Sequence, residues 1–246
     1  MSRPAGVPVP AGDARTVGEL DLLIAQCRAC PRLVAWRELV ATDKRASYRD
    51  EAYWGRPVPG FGVDDAWLVV VGLAPAAHGG NRTGRMFTGD RSGDVLFAAL
   101  HRAGFASQEH SVAAGDGMRL REVRLTAPVH CAPPDNKPTP RERDNCAPYL
   151  ARELELLSPT VQVAVVLGAF GWQALLSSLE RQGWAVPRPR PKFGHGAEVA
   201  VRGPRGQTLT LLGCYHVSQQ NTFTGRLTPA MLDAILARAA ALRPGA

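Results

Sequence analysis

The chain has 246 residues, 45% of them hydrophobic, enough for one α/β domain with a sizeable core or at most two small ones. Lys plus Arg number 29 against 22 for Asp plus Glu, a formal net charge of +7, which suits a polyanionic partner such as nucleic acid. No run of about 18 apolar residues exists and the opening MSRPAGVPVPAGDAR lacks the apolar core of a signal peptide, so the expectation is a soluble protein of the cytosol, bacterial in character, without a membrane partner.

Residues 1–15 are rich in Pro, Gly and Ala without periodicity and read as a disordered leader ahead of a single domain over residues 16–246. A helical pattern follows over residues 17–28, with Leu20, Leu22, Leu23 and Ile24, and ends in the sequence CRAC. Residues 45–63 are turn-rich and carry Tyr48, Tyr53, Trp54 and Phe61, a surface excursion placed to touch a ligand. Alternation then sets in. The apolar run at 67–73 reads as a strand covered on both faces, followed by a helix over 92–103. The pairing recurs at 123–129 and 140–157, at 161–167 and 170–179, and at 209–214 and 229–242. Strands alternating with helices imply right-handed crossovers and a mainly parallel sheet with helices on both faces. Ligands of such folds sit beyond the carboxyl ends of the strands, so the segments after each strand carry the chemistry.

The first of these, GLAPAAHGGNRTGRMFTGDRSGD at residues 72–94, is dense in glycine but holds neither GxxxxGK[ST] nor GxGxxG, so nucleotide triphosphate use has no support. The last, CYHVSQQNTFTGRLT at residues 214–228, sets His216 immediately beyond a buried strand, where it either faces a ligand or caps the strand. Five cysteines in a chain with no export signal do not suggest disulfides. Cys27 and Cys30 form a CxxC, and Cys131 and Cys146 are separated by fourteen residues; four thiolates from two distant segments suit a [4Fe–4S] cluster or a structural zinc ion, and spacing alone does not separate the two. Cys214, inside an apolar strand, reads as a buried core thiol. All but Lys44, Lys137 and Lys192 of the basic residues are Arg, as phosphate-matching guanidinium chemistry or a GC-rich genome would each produce.

GLAPAAHGGNRTGRMFTGD together with HVSQQNTFTGRLT closely resembles the signature pair of the uracil-DNA glycosylase superfamily, specifically its family 5 or type B branch, and the resemblance extends from the CRAC cysteines to the last loop. It implies a three-layer α/β/α sandwich on a four-stranded, mainly parallel sheet. The implied activity is DNA base-excision repair: a monofunctional glycosylase that hydrolyses the N-glycosidic bond of a flipped base and leaves an abasic site. It also implies a [4Fe–4S] cluster on Cys27, Cys30, Cys131 and Cys146, and DNA containing uracil or other deaminated bases as partner; nothing requires more than a monomer.

By the same resemblance His216 meets the departing base at its O2, and Phe87 stacks on the flipped ring. Asp90 and Asn136 are the candidates for positioning or activating water; Asp90 also has the place of a helix cap ahead of an apolar helix, and one carboxylate can serve both ends. Gly72 and Ala74 follow the first strand, and Ala74 stands where relatives carry a carboxylate or amide. Ala127 stands where related families carry an Asn that reads the pyrimidine edge, so the pocket is expected to tolerate hypoxanthine. Phe223, Arg226 and Leu227 are candidates for a wedge or phosphate contact, and Arg82, Arg85 and the RPRPK run at 188–192 for phosphate contacts. Two other readings stand: a uracil-trapping or non-catalytic DNA-binding protein with an iron–sulfur or zinc site, and an α/β hydrolase acting on a small anion, although no GxSxG elbow is present.

Overall fold

The computed structural model describes residues 10–243. Its centre is a sheet built on an apolar core whose alternating side chains face opposite ways. In chain order the elements are α1 (Val17–Ala25), α2 (Pro31–Thr42), β1 (Phe61–Gly62), β2 (Leu68–Val71), α3 (Gly80–Thr83), α4 (Arg91–Arg102), β3 (Val123–Thr126), α5 (Pro140–Leu157), β4 (Val163–Leu167), α6 (Ala169–Arg181), β5 (Glu198–Arg202), β6 (Thr208–Cys214), α7 (Gln219–Phe223) and α8 (Pro229–Ala241).

The sheet order is β1-β3-β2-β4-β6-β5. The four strands expected from the sequence, β2, β3, β4 and β6, pair in parallel at its centre. The count of four is corrected to six, because β1 joins β3 and β5 joins β6, both antiparallel. These edge strands are short or alternate apolar with exposed residues, which keeps them from reading as buried runs and blunts the edges of the sheet.

Leu68 and Val70 of β2 enter the core shared with α4 and α8, whereas Val69 and Val71 enter the core shared with α1, α5 and α6. Burial on both faces explains the unbroken apolar runs, and each such side chain contributes about 1.5–3 kcal/mol by leaving water. Helix starts are set by local chemistry: Thr139 and Glu142 form a capping box before Pro140, and Thr228 caps α8 before Pro229. α2 was absent from the sequence expectation, although Pro31 at its first turn is a start signal.

Of the expected leader, residues 1–9 lie outside the described residues. Residues 10–15 are packed: Ala11 and Ala14 are buried beside Leu20, Ile24 and Tyr149, and Arg152 of α5 donates to the Ala14 carbonyl at 2.6 and 2.9 Å. Small side chains and a free carbonyl suit that close approach, which composition alone conceals. No helix of the described residues is long and apolar enough to cross a membrane.

One buried charge network ties the layers together. Arg124 of β3 and Glu153 of α5, both fully buried, form an ion pair, Thr126 hydrogen-bonds the same carboxylate, and Asp21 of α1 accepts from Arg124 at 2.7 Å. Breaking such a pair leaves a charge uncompensated in the interior. Glu153→Ala is therefore expected to lower stability by about 3–5 kcal/mol in urea unfolding; an unchanged midpoint would contradict this role.

Candidate functional site

β2 has β3 on one side and β4 on the other, so the chain direction switches there and a crevice opens at the carboxyl ends of the strands. The loops after β2, β3 and β6 converge on it. One open cavity is lined by Ala74, Phe87, Asp90, Ala127, Asn136 and His216, residues that the sequence reading singled out, and also by Leu73, Pro75, Ala76, Met86 and Ser92, which it did not.

The Phe87 ring is placed by close backbone packing. Phe87 itself has φ of +52°, a conformation that costs a bulky residue energy and needs the surroundings to enforce it. Its ring lies against Gly72, where a Cβ would come within 2.6 Å of the Phe87 ring. Gly72 thus supports the cavity from behind and is not one of its lining residues.

Asp90 is the N-cap of α4, accepting from the Gly93 N–H at 2.9 Å through Oδ1. The capping reading is therefore correct as geometry, yet the same carboxylate lines the cavity. Its other oxygen packs on Gly79, where a Cβ would lie 1.9 Å away. Burial pushes the Asp90 carboxyl above its ordinary pKa, against the opposing effect of the Gly93 and Ser92 N–H groups.

His216 follows β6 directly. Burial lowers its pKa to about 4, so the imidazole is neutral at physiological pH. Its carbonyl accepts from the Asn221 side chain at 2.8 Å, which fixes the start of the following loop. Asn136 is exposed on the cavity rim and, like Asp135, has φ of +54°, a left-handed turn that Asp and Asn tolerate better than most residues.

Three expected DNA contacts are corrected by burial. Arg82 donates to the His78 carbonyl at 2.8 Å and the Gly89 carbonyl at 2.9 Å, pairs with Glu51, and lies 4.0 Å over the Tyr48 ring. Arg85 donates to Thr88 at 3.0 Å, to Ser111 at 2.7 Å and to Asp116 at 2.7 Å. A glycine-rich loop has carbonyls that no strand satisfies, and the Arg82 guanidinium fills two of them while Arg85 anchors the loop through side-chain partners. Leu227 is 2% exposed and belongs to the core under α8, so it cannot reach DNA without unfolding that end of the loop.

Phe223, by contrast, is 69% exposed at the end of α7, with the Arg91 guanidinium 5.6 Å from its ring. Arg226 is exposed and lies 4.7 Å over Tyr215, which in turn stacks on His195 at 5.0 Å. In the RPRPK run Arg188 and Arg190 both pair with Glu180, and Lys192 remains exposed. Sequence reasoning missed Arg91, Tyr215 and His195, whose only signal was their position next to the named loops.

The four cysteines share a second cavity behind this one. Cys27, Cys30, Cys131 and Cys146 line it together with Leu33, Arg37, Val129, His130 and Tyr149. Its wall abuts the first cavity, because Ala74 packs on Leu33, Val129 and Cys131. Cys30 is the N-cap of α2. Backbone N–H of His130 donates to Cys146 Sγ at 3.4 Å, Asn145 to Cys30 Sγ at 3.5 Å, and Arg37 to Cys131 Sγ at 2.9 Å. Among the described residues no three His, Cys, Asp or Glu side chains close around a single ion position. The four thiols that line this one cavity are donors that could hold a metal centre. Cys214 is elsewhere, in the core of β6 as expected, with burial pushing its thiol up to about 12.

A family model described as the uracil DNA glycosylase superfamily matches residues 59–240. A type-5 uracil-DNA glycosylase of Mycobacterium bovis is 56% identical over 229 residues, covering 93% of this chain and 82% of that protein. One of Thermus thermophilus is 51% identical over 216 residues, covering 88% and 93%. A type-4 uracil-DNA glycosylase of Archaeoglobus fulgidus is 32% identical over 136 residues, covering 55% and 60%.

The Arg85–Asp116 pair gives the loop that frames the cavity a pH limit. Burial works against ionisation of Asp116, but Arg85 and the N–H groups of Met118, Val112 and Ala113 hold its carboxyl down at about 2. A folded pKa below the unfolded value contributes stability that is present above about pH 4 and lost as pH falls toward 2. Asp116→Asn is expected to remove that part of the acid dependence in thermal unfolding between pH 4 and 2; an identical dependence in both proteins would refute the assignment.

Proposed function

Since the chain belongs to the uracil DNA glycosylase superfamily and, as a type-5 uracil-DNA glycosylase, removes uracil from DNA, we propose that the cavity of Phe87, Asp90, Asn136 and His216 holds the extruded base and that its range extends to hypoxanthine. The observation that carries this reading is the convergence of those four side chains on one cavity at the carboxyl edge of the sheet. A base stacked in a duplex cannot reach such a cavity, so the nucleotide must leave the stack. Phe87 offers its ring face to the base.

Hydrolysis breaks the bond between C1′ and the base nitrogen. The electron pair stays on the base, the sugar approaches an oxocarbenium ion, and a water oxygen bonds C1′ as its proton departs. His216, neutral because of its burial, donates a hydrogen bond to the base O2 as negative charge grows there. A neutral donor can do this without first losing a proton at pH 7. Asp90 takes the proton of the water, or stabilises the cation, through the carboxylate that also caps α4. Its raised pKa brings it nearer to the working pH of a general base. Asn136, on the rim, orients the water.

The breadth of substrate follows from what the cavity lacks. Ala74 and Ala127 line it where polar readers would otherwise stand. A site discriminates most strongly when a wrong ligand leaves its polar groups unpaired, and alanines impose no such penalty on a purine. On the outer surface, exposed Phe223 supports a role as the wedge that fills the gap left by the base. Exposed Arg91, 5.6 Å from the Phe223 ring, exposed Arg226 in the same loop as Phe223, and exposed Lys192 before β5 supply phosphate contacts.

The four cysteines are proposed to hold a [4Fe–4S] cluster. When bound, the group supplies an electron-storing centre, which hydrolysis does not call upon; its ligands join α1 and α2 to α5 and the loop after β3. The protein acts as a monomer in this reading.

The test is incubation of the purified protein with end-labelled duplexes carrying one uracil or one hypoxanthine, with alkali to cut abasic sites. Multiple turnover on both is expected, with an acid limb of kcat/KM above the ordinary aspartate pKa. Asp90→Asn is expected to lose about 10²-fold or more in kcat together with that limb. Strict uracil specificity would overturn the breadth, and retained activity in Asp90→Asn would overturn the role of the carboxylate.

A further inference from the structure

Among the described residues four guanidiniums are almost fully covered, and three of them face a close carboxylate: Arg82 faces Glu51, Arg85 faces Asp116 and Arg124 faces Glu153. Arg37, with 2% of its side chain exposed, has only a more distant ion pair. Its nearest carboxylate, Glu38, stands 3.9 Å away, is half-exposed, and gives both oxygens to Arg28. Arg37 instead donates through Nη1 to Cys131 Sγ at 2.9 Å and through Nη2 to the Cys27 carbonyl at 3.2 Å, and its Nε has no partner. A guanidinium only donates and does not give up its proton. A half-exposed carboxylate at 3.9 Å, shared with Arg28, compensates a buried guanidinium only weakly. The cavity of four cysteines beside it gains negative charge when the thiols bind iron as thiolates.

The far side of the same residue reaches the catalytic loop. The Arg37 backbone carbonyl accepts from the side-chain amide of Asn81 at 3.2 Å. Asn81 is fully buried and sits in α3, the turn of the glycine-rich loop that leads to Phe87 and Asp90. Its own N–H is held by Ala76 O at 3.1 Å, and its carbonyl accepts from Gly55 at 3.0 Å, so it joins α2, the glycine-rich loop and the aromatic excursion. We propose that Arg37 is a positioning residue with two faces: its guanidinium compensates the charge of the cysteine-bound cluster and anchors the Cys131 ligand, and its backbone, through Asn81, fixes the loop that carries Phe87 and Asp90. This rests on the proposed cluster, and it gives a group that transfers no electrons in the reaction a definite route to the active site.

The two faces separate by mutation. Arg37→Gln removes the charge and leaves a shorter amide donor; Arg37→Lys keeps the charge without the fork; Asn81→Ala cuts the link to the loop and leaves the sulfur contact. The full chain and each variant are purified anaerobically and assayed for iron and acid-labile sulfide, for the visible absorbance lost with time in a chelator, for the cluster's reduction potential, for amide exchange over residues 79–90, and for kcat and KM on a uracil duplex. Arg37→Gln is expected to lose its cluster about ten- to hundredfold faster than the unaltered protein, the scale on which removing a residue that holds a metal ligand weakens retention. Its potential should fall, because removing a positive charge disfavours the reduced, more negative cluster. Arg37→Lys should stay closer to the unaltered protein in potential than in cluster retention. Asn81→Ala should keep the cluster and its potential but lose exchange protection over residues 79–90, with a fall in kcat larger than any rise in KM.

Unaltered retention and potential in Arg37→Gln would overturn the charge-compensating role. Unaltered loop protection in Asn81→Ala would overturn the link. Absence of iron and sulfide from the anaerobically purified, active parent protein would overturn the cluster itself, and the Arg37 assignment with it, while leaving uracil removal untouched.

Discussion

β2 is hydrogen-bonded on both sides, to Val123–Thr126 of β3 and to Val163–Val166 of β4, in the same register from Leu68 to Val71. Nothing at the site could be placed without that double pairing. It buries both faces of β2, stops all three strands at one level, and sends the chain after Val71 out over the crevice as a loop whose only supports are its own turns and neighbours. Glycines let that loop pass close to the strand ends, and the packing of Phe87 on Gly72 and of Asp90 on Gly79 shows how little space is left. A loop so constrained holds side chains at fixed positions, which is what charge stabilisation of a transition state requires, since a misplacement of about 1 Å can cost 10²-fold in rate.

Internal charge pairing bears much of the load around this loop. The net charge of +7 suggests a surface made for phosphate, but several arginines nearest the site are turned inward. Arg82 and Arg85 hold the glycine-rich loop to the excursion before β1 and to the loop before β3. Exposed beside the same crevice are Phe223, with the Arg91 guanidinium against its ring, and Arg226 over Tyr215. The cavity of cysteines lies behind the same wall, with Ala74 shared between the two.

Much of this was legible in the sequence. Continuous apolar runs revealed β2, β4 and β6 because burial on both faces leaves no alternation to confuse them with helices, and the segments after the strands proved to line the cavity. Phe87, Asp90 and His216 were found by motif and lie together. What was hidden is instructive. α2 has an almost uniform mixture of apolar and charged residues, because the face that buries Leu33, Val34 and Val40 also carries Arg37 into the interior; an amphipathic pattern is blurred when an arginine is a core residue. β5 alternates, but with four of its five residues at least partly exposed, it resembles a loop. Sequence also cannot tell an arginine facing phosphate from one facing a backbone carbonyl, which is why Arg82 and Arg85 were assigned outward, nor a leucine wedge from a leucine core residue, as Leu227 shows.

The central claim is that one cavity, assembled from the loops after β2, β3 and β6, receives the whole base. The most direct measurement is a crystal structure of the protein with a duplex carrying a non-hydrolysable uridine analogue. The account predicts the base out of the stack, its ring over Phe87, its O2 toward His216, and Phe223 at the vacated position in the duplex. A uridine still paired within the helix, or a flipped base lodged away from Phe87 and His216, would contradict it.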